Sequence, residues 1–120
     1  MSGEKPVLSE KAGRREYRKL VRDRIPEIII ASGGKPHCRE IGGQELLDAA
    51  KAKMREEAEE LVEAQTPAEV AEEMADILEL VETIAQRYEL TLPQINEIKE
   101  KKRAERGGFA KGLFLEYVED

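Results

Sequence analysis

The sequence predicts an all-α fold organised around an antiparallel helix hairpin with shorter flanking helices. Two long segments carry apolar residues at helical spacing: Leu47, Ala50, Met54, Ala58 and Leu61 in the first, Val70, Met74, Ile77, Leu78, Val81 and Ile84 in the second. Between them, Thr66-Pro67-Ala68-Glu69 is a helix start signal. Thr66 can cap, Pro67 suits the first helical position, and Glu69 can close a capping box. So short a connection makes the two helices antiparallel neighbours. Aromatic residues are only 4% of the chain and Trp is absent, so the core must be aliphatic, which also favours helices.

The elements follow in order. Residues 1–16 are polar and charged and read as a flexible tail, while residues 17–120 suit one compact domain. In the run Tyr17 to Pro26, Asp23 is the expected N-cap of a short helix that Ser32-Gly33-Gly34 ends. His37 to Ile41 reads as a short strand, followed by the first long helix from Gln44 to Ala64. The second long helix starts after Thr66. Thr91-Leu92-Pro93-Gln94 repeats the capping logic and begins a third helix through roughly Arg103. Leu113 to Val118 alternates as a strand does and can pair with His37 to Ile41 in a minor two-stranded ribbon. One hairpin buries little by itself. The broad apolar stripes therefore predict a homodimer or higher homo-oligomer that completes a four-helix bundle.

Composition removes several classes of function. The net charge of −6 argues against binding a nucleic acid polymer, whose affinity comes from phosphate neutralisation. No stretch reaches the length of a membrane-spanning helix, and the N-terminus lacks the apolar core of a signal peptide. Cys38 is the single cysteine and stands beside the lone His37, which excludes an internal disulfide and leaves too few soft ligands for structural zinc. A reducing, cytoplasmic setting is expected.

Four carboxylates carry the functional signal. Glu57 and Glu60 on the first long helix and Glu73 and Asp76 on the second share one three-residue step, which makes each pair surface neighbours on its helix. At about 100° per residue, Glu57 projects between Leu46 and Ala50 and Glu73 between Leu80 and Ile84, so both acids occupy apolar ground. Buried ionised carboxylates are costly unless compensated, and a divalent cation compensates several at once. Oxygen-only ligands suit magnesium, manganese or calcium. An EF-hand loop is absent, and a di-iron bundle would need Glu-x-x-His pairs that the lone histidine cannot supply. Mg2+, usually held by few carboxylates together with phosphates and waters, fits best, with Mn2+ as a substitute.

Glu56-Glu57-Ala58-Glu59-Glu60 followed by Glu73-Met74-Ala75-Asp76 resembles the E-E-x-x-E … E-x-x-D signature of the all-α nucleoside triphosphate pyrophosphohydrolases, the MazG-like and phosphoribosyl-ATP pyrophosphohydrolase-like superfamily. Lys19-Leu20-Val21-Arg22-Asp23-Arg24-Ile25-Pro26 and Lys102-Arg103-Ala104-Glu105-Arg106-Gly107-Gly108-Phe109 resemble segments that bracket the signature in one branch. The resemblance implies a single MazG-like domain over residues 17–120 that hydrolyses a nucleoside triphosphate between its α and β phosphates, giving the monophosphate and pyrophosphate, often as house-cleaning. It also implies Glu57, Glu60, Glu73 and Asp76 as metal ligands and a dimeric bundle. Glu56 becomes a candidate base for the attacking water, and Lys53, one turn before Glu57, a candidate catalytic cation. Lys19, Arg22, Lys99, Lys102, Arg103 and Arg106 are candidate phosphate contacts, with Arg22 and Arg106 preferred because each adjoins a turn or helix start. Phosphoribosyl-ATP is an alternative substrate. A non-catalytic helical interaction module is the alternative from another class.

Overall fold

The structure is a computed structural model that describes residues 10–11 and 13–120. Its elements are two antiparallel strands, β1 (Glu10–Lys11) and β2 (Arg14–Arg15), and four helices, α1 (Ile25–Ala31), α2 (Gly43–Glu63), α3 (Pro67–Arg87) and α4 (Leu92–Arg106). The fold is all-α. The chain divides into two compact units, one ending at Glu89 and one comprising Leu90–Asp120.

The β pairing lies elsewhere than expected. It falls within the stretch read as a tail, whose residues 1–9 and 12 lie outside the described residues. Residues 37–41 and 113–118 form neither strand nor helix. A strand holds only when its ladder is paired, and Arg39 instead commits its guanidinium to Glu45 in the first turn of α2, with Nη1 donating to Oε1 at 3.0 Å. Leu113, Phe114, Leu115, Tyr117 and Val118 are exposed, each by at least 72%.

The starts of α3 and α4 follow the capping chemistry, α2 starts from Gly42 without a side-chain cap, and α1 departs from expectation. At α3, Thr66 accepts from the Glu69 amide at 3.2 Å, as expected, but its hydroxyl donates to the Glu69 carboxylate at 3.0 Å. At α4 the capping box is complete: Gln94 N–H donates to Thr91 Oγ1 at 3.3 Å, and the Thr91 amide donates to Gln94 Oε1 at 2.8 Å. This helix continues past Arg103 to Arg106, where Gly107 at φ +81° ends it. At α1 the N-cap is Arg24 rather than Asp23. A turn in which the Ile25 amide donates to Arg22 O at 3.0 Å already curls the chain there. Glycine is required where α1 ends: Gly33 has φ +93°, and a Cβ on Gly34 would stand 2.6 Å from Ile29 Cγ2.

The α2–α3 hairpin forms the core of the first unit. Leu47, Ala50, Lys53 and Glu57 are buried on α2 at steps of three or four residues, and Glu73, Leu80 and Ala85 are buried on α3, where Leu80 lies seven residues after Glu73. Ile25 of α1 is also buried. The apolar stripe read for α3 is broader than what the chain covers, since Met74 and Leu78 are 52% and 68% exposed. The hairpin is also strongly acidic. Thirteen acidic side chains against four basic ones lie on α2 and α3. Among the described residues, no helix is long and apolar enough to cross a membrane.

Candidate metal centre

Glu57 lies seven residues before the C-cap Ala64, and Glu73 seven residues after the N-cap Thr66. In an antiparallel hairpin, equal steps from the turn put the two at the same level, about 10 Å up each helix at 1.5 Å per residue. Asp76, three residues beyond Glu73, shares its side of α3. The result is a trio in which Glu57, Glu73 and Asp76 each offer a carboxylate oxygen within 4.8 Å of the others. Glu60, expected as a fourth member, is half-buried one turn along α2 and outside the trio.

The trio is deep. Glu57 has no exposed surface and Glu73 is 6% exposed, and among the described residues no hydrogen-bond donor reaches either oxygen of Glu57. The nearest compensating charge is Lys53, buried on the same helix, whose Nζ stands 4.0 Å from Glu57 Oε1. One cation at that distance offsets little of the cost of ionising carboxylates away from water. The Glu57 carboxyl is accordingly pushed up to about 8, first by burial, then by a proton shared toward Glu73, and then by the negative charges of Asp76 and Glu73, with Lys53 opposing.

A divalent cation fits this donor set. Three hard oxygen donors on two rigid helices match the preference of Mg2+, Mn2+ and Ca2+. Metal–oxygen distances of about 2.1 to 2.4 Å are within reach of small rotamer adjustments. A buried carboxylate without a donor is what such an ion would satisfy.

Two cations from the segment preceding α1 meet the rim. Lys19 Nζ donates to Glu56 Oε1 at 2.9 Å in a partly buried pair. Arg22 Nη2 donates to Asp76 Oδ1 at 2.6 Å, while its Nη1 lies 3.9 Å from Glu79. Lys19 and Arg22, read from sequence as phosphate contacts, thus pair with acids of the hairpin. Glu79 was not singled out by sequence reasoning, although it continues the three-residue step from Glu73 and Asp76. The remaining phosphate candidates, Lys99, Lys102, Arg103 and Arg106, are exposed on α4 in the second unit, where Lys99 Nζ stands 3.4 Å from Glu100. Cys38 is exposed and carries no site.

The chain is similar to an uncharacterized protein of Mycolicibacterium smegmatis, with 51% identity over 47 residues, which is 39% of this chain. The aligned stretch spans about half of that protein, 48% of its length. No protein-family profile matches the chain, and no solved structure matches it.

Proposed function

We propose that this protein is a magnesium-dependent nucleoside triphosphate pyrophosphohydrolase that cleaves between the α and β phosphates to give a nucleoside monophosphate and pyrophosphate. The observation that carries the reading is the convergence of Glu57, Glu73 and Asp76 from two helices, with Glu57 fully buried and, among the described residues, no donor on either oxygen. The ordered resemblance of the two acid motifs to the MazG-like signature supports the choice of reaction.

In this reading Glu57, Glu73 and Asp76 hold Mg2+, or Mn2+ in its place, which when bound supplies charge neutralisation at phosphate oxygens and lowers the pKa of a bound water. Glu56, held by its ion pair with Lys19, would accept a proton from the attacking water. Lys53 holds Glu57 in place within the hairpin. Lys19 and Arg22 supply positive charge at the mouth. Little covalent work is asked of the side chains, because phosphoryl-type cleavage depends mainly on positioning and electrostatics.

The same reading includes self-association. Met74 and Leu78 on α3 form an uncovered apolar strip on the hairpin, and a second copy completing a four-helix bundle would bury it. A cytoplasmic setting suits the nucleotide substrate.

Purified protein with Mg2+ and a panel of canonical and modified triphosphates, phosphoribosyl-ATP included, tests the proposal. Release of pyrophosphate, abolished by Asp76→Ala, is the expected result. A second reading, a non-catalytic interaction module, is favoured by the exposed apolar run Leu113 to Val118. Absence of turnover with every nucleotide, or release of single phosphate, would favour that reading.

A further inference from the structure

One tight ion pair reaching the acid trio comes from outside the hairpin, and the side chain that makes it is half-exposed. Arg22 lies before α1, its side chain is 43% exposed, and its Nη2 donates to Asp76 Oδ1 at 2.6 Å. Lys53, in contrast, is buried within the hairpin at 4.0 Å from Glu57. The two cations therefore differ in what it would take to move them. Displacing Lys53 would strand a buried ammonium, whereas the Arg22 guanidinium can leave Asp76 for water with no change in α2–α3 packing. It also has a second acid at hand, since its Nη1 is already 3.9 Å from Glu79, one turn beyond Asp76.

We infer that Arg22 is a removable counter-ion: its guanidinium neutralises Asp76 while the trio holds no cation, and yields that carboxylate when a divalent ion binds. This rests on the metal centre proposed above and adds how its vacant and loaded states exchange. Two positive groups on one carboxylate repel, and the more solvated one gives way at lower cost. The released guanidinium shifts toward Glu79 and stands at the mouth of the site, where its planar fork suits a phosphate group. Asp76 is thus shielded in the empty protein without an additional buried charge, and cation binding is what frees the arginine.

The test is Mn2+ binding to the protein free of nucleotide, followed by electron paramagnetic resonance of the unbound ion. Arg22→Gln removes the competitor, so Mn2+ should bind roughly threefold to tenfold more tightly, the size expected for a half-exposed ion pair. Arg22→Lys keeps the charge and should stay within about twofold of wild type. Arg24→Gln, which breaks only the exposed pair with Glu27, should leave the affinity unchanged. Circular dichroism of each variant verifies the fold. If Arg22→Gln binds Mn2+ as the wild type does, or more weakly, Arg22 is a fixed support of Asp76 and the inference is overturned while the metal centre stands. A wild type that binds no Mn2+ removes the metal centre and the inference together.

Discussion

Glu57 and Glu73 face each other across the α2–α3 interface, both buried and level with one another above the Ala64–Thr66 turn. Helix hairpins bury such acids only at a cost.

A first consequence concerns pH. Glu57 has a folded-state value near 8 against an ordinary value of 4.5, so between those values the folded protein holds a proton that the unfolded chain has lost. Stability from this group is fully present below about pH 4.5 and is lost as pH rises through 8. Without divalent ions, denaturant melts should show stability falling across this window by on the order of a few kcal/mol. Saturating Mg2+ should flatten or reverse the slope, because a cation takes the place of the proton.

Neutralising the buried acid should therefore stabilise the metal-free protein. Glu57→Gln keeps the shape and removes the charge, and should raise the melting temperature at pH 8 in chelator by several degrees. It should also erase the upward shift that Mg2+ is expected to produce in wild type. Paired thermal melts with and without Mg2+ check both effects.

Glu60 separates the motif from the geometry. The acid pattern treats it as equivalent to Glu57, whereas the structure leaves it outside the trio. Under the proposed mechanism, pyrophosphate release should fall by about a thousandfold or more in Glu73→Gln, because each member of the trio would support the same transition-state charge. It should fall by less than about tenfold in Glu60→Gln, as an acid outside the trio offers only a remote charge. Equal losses in steady-state rates would restore Glu60 to the centre.

A fourth expectation concerns assembly. Met74 and Leu78 are large exposed apolar residues of α3, and Leu78→Glu should convert the proposed oligomer to monomer in sedimentation equilibrium. Far-UV circular dichroism should be unchanged, because Leu78 is largely exposed within the single chain.

Much of this architecture is legible in the sequence, for reasons that differ by element. Thr66-Pro67 and Thr91-Leu92-Pro93-Gln94 announce their helices because capping is a local affair, decided within four residues. The convergence of Glu57 with Glu73 and Asp76 was readable because one short turn converts sequence distance into spatial level. That Glu60 lies outside the trio is not legible, because spacing along one helix says which side chains are neighbours, but not which of them face another helix. The apolar alternation of Leu113 to Val118 suggested a strand, yet pairing is a tertiary event that alternation alone does not secure. The contacts of Lys19 with Glu56 and Arg22 with Asp76 span 37 and 54 residues, and no local pattern encodes them.

The acid excess of α2 and α3 bears on the order in which ligands arrive. Thirteen carboxylates against four cations create a negative potential that gathers small cations and turns away bare polyanions. A naked triphosphate approaching the hairpin climbs that potential, whereas one already wrapped in divalent ions meets a much lower barrier. If the chain acts on nucleotides as proposed, this charge would favour the magnesium-bound triphosphate over the bare one.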